Sequence, residues 1–132
     1  MSVGKKVLVL DHAEVLGEKI RISGGGRCNF TNLHSTPANF LSLNQHFVKS
    51  ALARYPSTEF IKLVTAHGID YHEKHQGELF CDDSAKQIID MLFSECTKGK
   101  VNIRNPVVVK SISKDGDLWS VQTSTGVEIG RA

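Results

Sequence analysis

Val7, Leu8, Val9 and Leu10 form an unbroken β-prone apolar run that ends at Asp11, the pattern of a strand buried on both faces in a parallel sheet. Ser23-Gly24-Gly25-Gly26 then imposes a loop, because glycines permit backbone angles and close approaches that side chains block. From Asn39 to Arg54, the apolar residues Phe40, Leu43, Phe47, Val48, Ala51 and Leu52 recur at helical spacing until Pro56 stops the pattern. The expectation is an amphipathic helix. Ser57 would cap a second short helix through Phe60, Ile61, Leu63 and Val64 to Ala66, ending near Gly68, with its apolar side turned to the first.

Further on, Ile69 to Tyr71 and Leu79 to Cys81 read as short strands around a polar turn, His72 to Glu78. Ser84-Ala85-Lys86-Gln87 matches a capping box, and Ile88, Ile89, Leu92, Phe93 and Cys96 follow as the apolar face of a helix. The last third reads as β-structure: Val101 to Arg104, Val107 to Ile112, Leu118 to Thr123 and Val127 to Ile129. Asp115-Gly116 marks a hairpin turn there, and Trp119, Val121 and Thr123 share one face.

Composition narrows the partners. With 40% hydrophobic and 23% charged residues among 132, the chain reads as one globular domain or part of one. Sixteen basic and fourteen acidic residues are scattered, so no basic stripe tracks a phosphate backbone and a nucleic-acid partner is not expected. No apolar run approaches the roughly 20 residues that span a bilayer, which leaves no membrane partner. The start, Met1-Ser2-Val3-Gly4-Lys5-Lys6, leads straight into a strand without the apolar region of a secretory signal. A cytoplasmic protein is the default expectation. Cys28, Cys81 and Cys96 show no CxxC spacing and are odd in number, as suits reduced thiols rather than a disulfide framework.

An acidic residue directly after a buried parallel strand is well placed to accept hydrogen bonds from ribose hydroxyls, and Asp11 is that residue. An Asp that only starts a turn or caps a helix is the alternative. The GxGxxG motif of such folds stands about 20 residues before the acid, yet only ten residues precede Asp11. In Lys19-Ile20-Arg21-Ile22-Ser23-Gly24-Gly25-Gly26-Arg27-Cys28-Asn29-Phe30-Thr31-Asn32, backbone N–H groups, a fixed cation and amide donors could converge on an anion or a flavin ring. Spacing alone leaves a purely structural loop open beside a ligand site.

VLVLD followed by KIRISGGGRCNFTN resembles a family of bacterial NAD(P)/FAD-dependent oxidoreductase flavoproteins, the BaiN-like and aminoacetone oxidase-like proteins. The likeness continues through Gly77-Glu78-Leu79-Phe80-Cys81, Ala85, Val107 and Ile112. It implies a partial Rossmann-like α/β FAD-binding domain with a helical segment and a small antiparallel β-meander. Carried over residue by residue, Asp11 would bind the adenosine ribose, and Val107 would offer its backbone to adenine. Lys19, Gly25, Gly26, Arg27, Cys28, Asn29 and Thr31 would lie along the flavin site. The implied chemistry is hydride transfer through flavin N5 between FAD and NAD(P)H or a small-molecule substrate.

Members of that family open with a strand and GxGxxG before VLVLD, and continue beyond a GVEIGRA-like strand with an ATGG segment, an inserted substrate domain and a returning flavin-binding segment. Those features are not among the 132 residues. The expectation is an incomplete FAD-binding domain over residues 1–132, inactive by itself. A non-catalytic nucleotide- or anion-binding module is the alternative from a different class. His67, His72, His75, Glu73 and Glu78 lack HExxH spacing and read as a solvated polar turn, with no metal expected. Cys28 reads as a cysteine packed under the loop, with a flavin-side redox thiol as the alternative.

Overall fold

A computed structural model describes residues 4–44 and 46–131, so Met1 to Val3 lie outside the described residues. In chain order the elements are β1 Leu8–Leu10, α1 Glu18–Ile22, β2 Asn29–Asn32, α2 Lys49–Arg54, α3 Ser57–Ala66, β3 Tyr71–Glu73 and β4 Glu78–Cys81. They continue with α4 Ala85–Lys98, β5 Asn102–Arg104, β6 Val109–Asp115, β7 Leu118–Thr123 and β8 Val127–Gly130. Two compact units emerge, Met1–Glu18 with Ser94–Ala132, and Lys19–Phe93.

In the first unit β1 and β5 run parallel, with Leu8, Val9 and Leu10 opposite Asn102, Ile103 and Arg104. The ladder extends past both ends, through Asn102 N–H to Val7 O (2.9 Å) and Asp11 N–H to Arg104 O (3.2 Å). Burial on both faces, expected from the apolar run, fails at Val9, which is 40% exposed. β6, β7 and β8 form the expected antiparallel meander. Asp115 pairs with Leu118, so the turn residues are Gly116 and Asp117, with Gly116 at φ +57°. The Arg104 guanidinium bonds the Glu128 carboxylate. β6 begins two residues later than expected, because Val107 N–H is drawn to Asp11 O and Val108 bonds Ser124 instead of extending the strand. The parallel pair and the meander agree with a Rossmann-like α/β reading.

The second unit contains its own core: Cys28, Val64, Ile69, Cys81, Ala85, Ile88 and Met91, with Phe30, Phe60 and Tyr71 packed against it. β2, β4 and β3 make an antiparallel sheet in that order. α4 forms where the capping box predicts: Ser84 Oγ accepts from Lys86 N–H (3.2 Å), and Gln87 Oε1 accepts from Ser84 N–H (3.4 Å). Its apolar side buries Ile88, Ile89 and Met91. In α3 the cap is Pro56, with no side-chain cap bond, and Ser57 is already helical. The apolar side of α3 meets β2, where the Phe60 and Phe30 rings lie 6.0 Å apart.

The long helix expected from Asn39 to Arg54 does not form. A 3-10 turn occupies Pro37–Asn39, and helix returns only in α2. Two causes act together. Leu41, Leu43 and Phe47 stand 97%, 109% and 76% exposed, so the helical spacing meets no core that would reward it. Local side chains also offer the backbone another bonding pattern: Asn44 N–H donates to Ser42 Oγ (3.0 Å), and His46 N–H to Asn44 Oδ1 (3.0 Å). Such short polar loops compete directly with helix formation.

Candidate functional site

The predicted residues fall into two groups, one in each unit. In the first, β1 ends at Leu10, Asp11 follows it, and the chain then turns through His12 and Ala13. Asp11 Oδ1 accepts from Ala13 N–H (2.9 Å), an Asx turn that fixes one carboxylate oxygen. Val107 N–H donates to Asp11 O (2.7 Å), so the two residues chosen for the adenosine end are brought together. Leu10, Asp11, His12, Val107, Val108 and Val109 line a cavity of about 240 Å³. Its walls are mostly apolar, and its acid is half-buried. His12, itself exposed, places Nδ1 3.6 Å from Asp11 Oδ1. This donor set fits an adenosine: aliphatic side chains for a flat base, one carboxylate for ribose hydroxyls.

The second group surrounds the glycine loop. Gly24 and Gly25 take φ of +59° and +66°, inside a tight turn that Cys28 N–H closes onto Ser23 O (3.0 Å). A side chain on Gly24 would stand 2.7 Å from the Phe80 ring and 2.9 Å from Asn29 N, whereas nothing lies within 4 Å of one on Gly25. Gly24 is therefore glycine for space and for angle, Gly25 for angle alone. Cys81 N–H donates to Arg27 O (2.9 Å), anchoring the loop's exit to β4. Lys19, Ser23, Cys28, Asn29 and Phe30 line part of a cavity of about 280 Å³, floored by Phe60, Ile88 and Leu92. Gly25, Gly26, Arg27 and Thr31 do not line it. Arg27 and Gly25 are exposed, while Gly26 and Thr31 are half-buried.

Cys28 offers little as a nucleophile. It is 4% exposed, and burial pushes its thiol above the ordinary 9.0, against a smaller downward pull from a hydrogen bond with Ser23. Cys81, fully buried, is pushed up to about 11 by burial first and then by Cys28 beside it. Its folded-state value lies above the unfolded one, so this contribution to stability is intact below pH 9.0 and is lost as pH rises through about 11. A thiol reagent at mildly alkaline pH should accordingly label Cys96, which is only partly buried, ahead of Cys28 and Cys81. Native-state labelling of Cys81 as fast as Cys96 would contradict this.

Of the histidines considered for a metal, His72 Nδ1 lies 2.6 Å from Asp82 Oδ1, and its ring stacks on Phe80. Among the described residues no three His, Cys, Asp or Glu side chains converge, and no helix is long and apolar enough to cross a membrane. Phe80, which the family likeness included without a role, packs against Gly24. Asn105 carried no sequence signal, and it donates from Nδ2 to Ala13 O (3.1 Å) and Glu14 O (2.9 Å).

Residues 1–130 match the HI0933-like protein Rossmann domain. The chain is 56% identical over 129 residues to a ribosomal RNA dihydrouridine synthase of Escherichia coli (strain K12), covering 98% of this chain and 32% of the relative. A protein of the same name from Haemophilus influenzae is 57% identical over 108 residues, 80% of this chain and 27% of that one. A 3-dehydro-bile acid delta(4,6)-reductase of Clostridium scindens is 25% identical over 108 residues, 81% and 26% of the two chains. The chain thus spans about a third or less of the length of these relatives.

Proposed function

Because the chain belongs to the HI0933-like family of Rossmann domains, an FAD-binding fold, we propose that it contributes two parts of the FAD site of a flavin-dependent reductase acting on uridine in ribosomal RNA. The observation that carries the cofactor reading is the cavity at the end of β1, where the Asp11 carboxylate meets aliphatic walls and Val107. Asp11 Oδ1 is held by Ala13 N–H, so the other carboxylate oxygen is the one to accept a ribose hydroxyl. Val107 has committed its N–H to Asp11 O. Its carbonyl is the group it would offer to an adenine amino group.

In the second unit, the N–H groups around Gly25 and Gly26, the Arg27 cation and the Asn29 amide are the groups that would orient the flavin end. Lys19, Cys28 and Thr31 complete that set, Cys28 through its backbone since its side chain belongs to the core. Bound FAD would supply hydride transfer through its N5, with NAD(P)H as electron donor. The residues described bind and orient. Residues 1–132 span about a third or less of the length of the relatives, and we take them as part of an FAD-binding domain that is inactive by itself.

The substrate assignment draws on the names of the two relatives at 56% and 57% identity. It departs from the expectation of a small-molecule substrate, which the 25% relative, named for a bile acid, would favour. Scattered charge on this chain gives RNA no track here, so substrate contact is assigned to the rest of a longer protein. Full-length protein should purify yellow, be bleached by NAD(P)H, and form dihydrouridine in ribosomal RNA lacking it. A colourless protein would defeat the flavin reading. A yellow one that leaves ribosomal RNA unchanged yet reduces a steroid enone would move the substrate to the small-molecule class.

A further inference from the structure

We infer that Asn105 is a positioning residue for the adenosine end of the flavin site, an inference that rests on the reading of Asp11 given above. Asn105 follows β5 directly and is half-buried. Its amide nitrogen reaches across more than ninety residues of sequence to the chain leaving β1, donating to Ala13 O (3.1 Å) and Glu14 O (2.9 Å). An amide nitrogen carries two N–H donors, and this one stands within hydrogen-bond reach of two successive carbonyls.

Those carbonyls belong to the turn that sets the Asp11 side chain. The main chain at Asp11 is fixed on both sides, by its N–H to Arg104 O (3.2 Å) and by Val107 N–H to its carbonyl (2.7 Å). The side chain is fixed differently. Its Oδ1 is aimed by the Ala13 N–H at 2.9 Å, so where the carboxylate points depends on where Ala13 sits. Apart from that bond to Asp11 itself, the side chain that holds Ala13 and the residue after it, through their carbonyls, is Asn105. Losing them frees Ala13 and Glu14 to reorient toward water, and the free oxygen of Asp11 then samples directions that miss a ribose hydroxyl. Binding must afterwards supply the ordering that Asn105 supplied beforehand.

The effect is selective by construction. A ligand with adenosine should lose affinity, and one without it should not. In the full-length protein stripped of flavin, Asn105→Ala and the near-isosteric, uncharged Asn105→Leu should each weaken FAD by roughly tenfold, the cost of ordering the Asp11 turn on binding. FMN, which has the isoalloxazine and one phosphate but no adenosine, should bind as it does to wild type, whatever modest fall in melting temperature the two lost intrachain bonds bring. Unchanged FAD affinity in both variants, or equal loss of FAD and FMN, would overturn the inference. The Asp11 reading is tested separately: if Asp11→Ala leaves FAD binding intact, that reading fails first and takes this one with it.

Discussion

Gly24→Ala should destabilise the protein by roughly 2–5 kcal/mol, the sum of about 1–2 for a left-handed non-glycine residue and about 1–3 for overpacking. The angle is φ +59°, and the added methyl would meet the Phe80 ring at 2.7 Å and the Asn29 backbone nitrogen at 2.9 Å. Neither neighbour gives way easily. Phe80 is 7% exposed, stacked by His72 and covered by the Lys74 ammonium at 5.3 Å. Asn29 opens β2. Gly25→Ala has a similar angle, +66°, and empty space around it, so it should lose only the roughly 1–2 kcal/mol of the angle. Urea midpoints of the two variants would separate the contributions. Equal losses would mean that the Phe80 contact does not constrain the loop.

What could be read from the chain was local. The capping box of α4, the hairpin between β6 and β7 and the helical spacing of α3 each depend on residues within a turn or two of one another, and each appears within a few residues of its expected place. The Asn39 to Arg54 spacing was equally regular and failed, because periodicity predicts a helix only where a core receives its apolar face, and here Leu41, Leu43 and Phe47 face none. For the candidate site the same division holds. Asp11 and the glycine loop were visible as patterns. That Gly24 and Gly25 differ depends on Phe80, more than fifty residues away. The hold of Asn105 on Ala13 and Glu14 likewise joins segments that only the parallel pairing of β1 and β5 brings together.

The claim on which the rest depends is that the Asp11 carboxylate binds the ribose of FAD. Asp11 is 35% exposed at its side chain, its Oδ1 is held by Ala13, and the cavity beside it is otherwise mostly aliphatic. A ribose hydroxyl that donates to this carboxylate makes a charge-assisted bond. Removing the acceptor leaves that hydroxyl facing apolar walls without a partner, a loss of roughly 1–3 kcal/mol, or about five- to 150-fold in affinity. The most direct measurement is a flavin-fluorescence titration of the flavin-free full-length protein and its Asp11→Ala variant, each with FAD and with FMN. The variant should bind FAD within that range of weakening and bind FMN as wild type does. FAD affinity that is the same in variant and wild type would contradict it.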